Sequence, residues 1–111
     1  VGCAVLLDNG EVVVGANQEN ASYPCGLCAE RVALYNASTL HPKAQIVVLA
    51  IAARSGDSPT EGPVSPCGAC RQVLAEYAAR QASPIGVVMV GQVRTVWVHD
   101  ARYLLPFTFK L

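Results

Sequence analysis

The chain has 111 residues, enough for one domain with its own core and no need of disulfide staples. Eight basic residues balance eight acidic ones, so no basic stripe marks a long nucleic acid or an anionic membrane as partner. Charged residues make up 14% and hydrophobic ones 52%, against a usual charged share of about 25%; a small domain so short of charge is expected to bury part of its surface against other subunits.

Cys3 to Leu7 is a short apolar run, followed by Asp8-Asn9-Gly10 and then Val12 to Val14. An Asn-Gly turn between β-branched runs predicts a hairpin. Gly15 to Pro24 is polar and turn-rich and reads as a loop. Cys28 to about Leu40 predicts a helix, with Val32, Leu34, Tyr35 and Ala37 roughly at helical spacing. Ile46 to Ala53 is a continuous apolar run, the pattern of a buried central strand. Arg54 to Pro66 is rich in Gly, Pro and Ser and predicts a loop. Gly68 to Arg80 reads as a second helix, Ile85 to Val90 and Val93 to Val98 as two further strands. Asp100 is placed to cap a final turn through Leu105, stopped by Pro106. The order β-β-α-β-α-β-β predicts an α/β fold with one mixed five-stranded sheet and packed helices. Residues 1–111 are expected to form a single domain.

Five cysteines is an odd number, and no secretory leader is read at the start, so reduced cytoplasm is the expected setting rather than a disulfide framework. No apolar stretch is long enough to span a bilayer. Asn20-Ala21-Ser22 and Asn36-Ala37-Ser38 match a glycosylation pattern, read here as chance. His41 and His99 have no partner motif and are expected in loops or at the surface. Cys3 is expected as a small buried core residue.

Two clusters carry chemistry: Cys28-Ala29-Glu30-Arg31 and Pro66-Cys67-Gly68-Ala69-Cys70. Cys67 and Cys70 are three apart, so on a first helical turn their sulfurs reach one ion. Cys28 also opens a helix. Two helix N-termini then turn positive dipole ends toward one point, where thiolates form readily. Three thiolates fit zinc with an open fourth position for water. Glu30, two residues after Cys28, is the carboxylate free to move that water's protons. Three thiolates around a dication leave a net negative charge, which Arg31 or Arg71 could offset by hydrogen bonds to sulfur. A competing reading uses Cys25, three residues before Cys28, as a fourth ligand in a structural, non-catalytic zinc site of an interaction domain.

At these residues the chain resembles the cytidine deaminases, specifically the small homotetrameric, zinc-dependent nucleoside enzymes. Further segments resemble them in the same order: Val1-Gly2-Cys3-Ala4, Asn17 to Pro24, Ser65 to Gln72, and Leu104-Leu105-Pro106 with Phe109. The resemblance implies a three-layer fold whose N-terminal helix, with a base-stacking Phe, lies outside this chain; Val1 is no initiator Met and begins in strand character. It implies that Cys28, Cys67 and Cys70 bind zinc and that Glu30 is the proton shuttle. Asn17 and Glu19 would hydrogen-bond the ribose 3′-hydroxyl, Tyr23 and Phe109 would be offered to a neighbouring subunit's site, and Arg31 would neutralise thiolate charge. Cys28, where other branches carry His, is similar to the nucleoside branch and to blasticidin S deaminases; Asn17-x-Glu19 favours the nucleoside branch. The implied activity is hydrolytic deamination of cytidine and 2′-deoxycytidine in pyrimidine salvage.

Overall fold

A computed structural model describes residues 1–111. The first hairpin pairs β1 (Gly2–Leu7) with β2 (Val12–Ala16), in a register that sets Val5 opposite Val13 and Leu6 opposite Val12. Gly10 sits at φ 87°, which a side chain would resist, and its N–H bonds the Leu7 carbonyl at 3.0 Å to close the turn. Two helices follow the expected positions: α1 (Ala29–Leu40) and α2 (Gly68–Ala79), with β3 (Ile46–Ala52) between them. The stretch read as a plain loop contains a miniature hairpin, β4 (Arg54–Ser55) against β5 (Ser58–Pro59). Beyond α2 come β6 (Gly86–Met89) and β7 (Val96–Val98). The last strand is shorter than predicted. Gln92 and Val93 give their N–H groups to the carbonyls of Thr60 and Glu61 instead of to the sheet. Short 3₁₀ turns occupy Tyr23–Cys25 and Ala101–Leu104, the latter capped by Asp100 as expected.

The five long strands form one sheet in the order β2-β1-β3-β6-β7. Only β3 and β6 run parallel, and α2 lies between them in sequence, as a parallel crossover requires. Alternation along the strands sends Cys3, Val5, Leu7, Val13, Leu49, Ile51, Val87 and Met89 to one face. Both helices join those residues in a single core through Ala29, Ala33, Leu34, Ala37, Leu74 and Ala78. The buried stripe of α1 therefore consists mostly of alanines. Tyr35, counted in the predicted stripe, is exposed. The cause is close approach: a Cβ at Gly15 would lie 2.6 Å from the Ala33 nitrogen and 2.8 Å from the Ala29 carbonyl, so only small side chains fit between α1 and β2.

The opposite face bears one apolar row across all five strands, Val14, Ala4, Ala50, Val88 and Trp97, and its two edge residues are well exposed. The mixed five-stranded α/β sheet is as expected. Residues 1–111 build two of the three expected layers, because both of their helices are used on one face. No helix is long and apolar enough to cross a membrane.

Candidate metal centre and substrate pocket

The two helix starts meet. Cys28 and Cys67 occupy the N-cap positions of α1 and α2, both with extended backbone (φ −69°, ψ 155° and φ −67°, ψ 170°). Cys70 lies in the first turn of α2, fully buried. The three sulfurs lie within 4.8 Å of one another. Cys28 Sγ is 3.7 Å from Cys67 Sγ, and Cys67 Sγ is 3.5 Å from Cys70 Sγ. Such a donor set fits a soft-to-borderline ion such as zinc, with one coordination position left free. Cys25 is exposed and stands outside the group, so the four-sulfur site is not assembled.

The surroundings treat the sulfurs unequally. Burial raises the Cys67 thiol, but hydrogen bonding from the Cys70 N–H, the Cys70 and Cys28 thiols and the Ala69 N–H outweighs it, leaving Cys67 below its ordinary value. Cys70 is pushed well up, by burial first, then by its bond to Cys67 and the Glu30 charge. A cation at the centre is what would let all three ionise together. Arg31, one helical turn after Cys28, donates from Nη2 to Cys28 Sγ at 3.3 Å, and its contacts with Cys28 and Cys70 hold its proton more firmly than usual. Of the two arginines the sequence offered, Arg31 reaches sulfur. Arg71 does not: its Nε donates to the Pro66 carbonyl at 2.9 Å and its Nη1 to the Leu104 carbonyl at 3.2 Å.

Glu30 is only 3% exposed, and its Oε1 has no hydrogen-bond partner. A buried carboxylate oxygen left unpaired is costly unless a ligand or substrate completes it. It lines a cleft of about 390 Å³ together with Cys28, Cys67, Asn17, Glu19 and Tyr23. Gln18 and Leu27 exchange backbone hydrogen bonds of 2.8 and 3.0 Å, and this isolated bridge carries the 17–19 segment to the side of Cys28. Asn17 Nδ2 donates to Glu19 Oε1 at 3.0 Å, which leaves the carboxylate's other oxygen free. Tyr23 is 88% exposed at the rim. Phe109 is exposed and lines a different hollow, with Ala75, Glu76 and Lys110. Leu27, Val64 and Ser65 also line the cleft, and sequence reasoning assigned none of them a site role. Their only signal was adjacency to Cys28 and to Pro66-Cys67. Cys3 lies in the core as expected; burial pushes its thiol up to about 12, helped by the Glu30 charge. His41 is half-buried at the end of α1 with Nδ1 3.3 Å from the Asn9 amide, and His99 is exposed.

Residues 1–87 match the family described as the cytidine and deoxycytidylate deaminase zinc-binding region. A cytidine deaminase of Halalkalibacterium halodurans is 39% identical over 98% of this chain and 76% of its own length. One of Sporosarcina psychrophila is 46% identical over 69% of the chain, a match that spans about half of that relative (52%). Among solved structures, cytidine deaminase from Burkholderia pseudomallei superposes with a TM-score of 0.78 at 34% identity, over 97% of this chain and 80% of that one.

Proposed function

This chain belongs to the cytidine and deoxycytidylate deaminase family, and on that premise we propose that it hydrolyses cytidine and 2′-deoxycytidine to the corresponding uridine and ammonia. The observation that carries the reading is the buried, unpaired Glu30 Oε1 beside three clustered thiols. A purely structural metal would need no such group.

Cys28, Cys67 and Cys70 would hold the zinc ion. When bound, zinc supplies a water acidic enough to act as nucleophile near neutral pH. Glu30 takes the proton from the attacking water and delivers it to ring N3 as C4 becomes tetrahedral. It then takes the remaining proton from the new C4 hydroxyl and passes it to the amine, which leaves as ammonia as C4 regains its carbonyl. Well-placed proton transfer of this kind is worth roughly 10²–10⁴-fold. Arg31 offsets the negative charge of the sulfurs through Cys28. Asn17 and Glu19, already bonded to each other, present an amide and a free carboxylate oxygen to the ribose 3′-hydroxyl. Polar groups placed to hydrogen-bond a sugar hydroxyl select a nucleoside over a free base.

Tyr23 is exposed at the cleft's rim and Phe109 is exposed at a separate hollow, which supports their being offered to a neighbouring subunit in a homotetramer. The reading extends to a single catalytic domain over residues 1–111, working in the cytoplasm in pyrimidine salvage. Zinc-loaded protein mixed with cytidine should lower the nucleoside's ultraviolet absorbance and release ammonia one for one, whereas free cytosine should react far more slowly. Equal rates on cytosine and cytidine would remove the ribose assignment.

A further inference from the structure

Arg71 is unaccounted for by the proton chemistry, yet it makes two hydrogen bonds in a partly buried position immediately after Cys70. One accepting carbonyl belongs to Pro66, the residue directly before the Cys67 N-cap. The other belongs to Leu104, in the 3₁₀ turn after the last strand. Its neighbour Gln72 donates from Nε2 to the Phe109 carbonyl at 3.1 Å. Thr108 Oγ1 in turn donates to the Leu105 carbonyl at 2.7 Å, so the 104–109 segment is tied both to α2 and to itself. The Pro66 carbonyl sets the peptide plane entering Cys67 and hence the direction of that sulfur. Glycine at 68 and proline at 66 bracket this turn.

We propose that Arg71 is a positioning residue that locks the Cys67 turn to the 3₁₀ turn at Leu104, so that the metal-binding helix end is held in its ligand geometry by the C-terminal segment. The planar guanidinium suits this task, because two of its nitrogens reach two carbonyls on separate segments at fixed spacing. A lysine ammonium is a single point and cannot span both. Arg71 is not a second sulfur donor: its Nε and Nη1 are both committed to carbonyls. The proposal rests on the zinc assignment of Cys28, Cys67 and Cys70.

The rate at which the holoprotein gives up zinc to a chromophoric chelator tests it, with metal content measured first. Groups that orient metal ligands typically alter metal affinity about 10–100-fold. Arg71→Ala should release zinc about tenfold faster or more than the parent, and Arg71→Lys should restore little of the loss. Val13→Ala, a core change on β2 outside the cysteine cluster, should lower the melting temperature without speeding release. If Arg71→Ala does not fold, Arg71→Lys, which keeps the charge and stem, carries the test. Release at the parental rate from both Arg71 variants would overturn the proposal while leaving the zinc assignment intact. A parent protein that binds no zinc would overturn the zinc assignment first, and this proposal with it.

Discussion

Asn17, proposed to meet the sugar, is held from two sides: its Nδ2 donates to Glu19 Oε1 at 3.0 Å and its Oδ1 accepts from the Val1 amine at 2.8 Å. Asn17→Ala should free Glu19 to wander and remove one sugar contact. A hydrogen bond to a charged group is worth about 1.5–3 kcal/mol. Steady-state kinetics on cytidine should therefore show KM rising about tenfold or more, with zinc content unchanged. The grouping of Cys28, Cys67 and Cys70, with Glu30 beside them, was readable from the chain because metal chemistry restricts residue type and spacing so tightly. The choice between Arg31 and Arg71 was not. Each follows a cysteine closely on its own helix, and which one meets sulfur depends on how α1 and α2 are rolled against the sheet.

At the scale of elements, the position of α1 decides the site, since it carries Cys28 and Glu30 at its start. Gly15 on β2 lets that helix approach, and the backbone contacts at 2.6 and 2.8 Å leave no room for a methyl group. Gly15→Ala should cost about 1–3 kcal/mol of stability by overpacking and should also lower turnover. Chemical denaturation and initial rates read the two effects separately. At the other end of the sheet, Asp100 accepts from the Arg102 N–H at 3.0 Å and pairs with its guanidinium. The hydrogen bond to Arg102 holds the Asp100 carboxyl below its ordinary value. Its stabilising effect is thus present above the unfolded carboxyl pKa and is lost as pH falls through the lower folded value. Asp100→Ala should cost about 0.5–2 kcal/mol at neutral pH, and the gap from the parent should close below about pH 4. A gap that widened in acid would contradict this account of the cap. The strands and helices were legible from alternation and capping, whereas the alanine stripe of α1 was not. Helical spacing favours large apolar residues such as Tyr35, and only the close contact at Gly15 reveals why alanines lie beneath.

For the whole molecule, the low charge content finds a physical counterpart in the apolar row from Val14 to Trp97 on the uncovered sheet face. The β4–β5 hairpin and the loop contacts of Gln92 and Val93 were illegible in the sequence, because backbone pairing between loops leaves no periodic pattern. The proposed assembly has a direct readout. Light scattering on the eluting protein should give about four times the chain mass of 11.7 kDa. A stable monomer would remove Tyr23 and Phe109 as contributors to a neighbour's site. The chemistry turns on Glu30, and one paired measurement reaches it: zinc content and cytidine turnover of Glu30→Gln beside the parent. The amide keeps the shape but cannot carry protons, so the variant should bind zinc fully and lose roughly 10²–10⁴-fold or more in rate. Turnover at the parental level from a zinc-loaded Glu30→Gln protein would contradict the account.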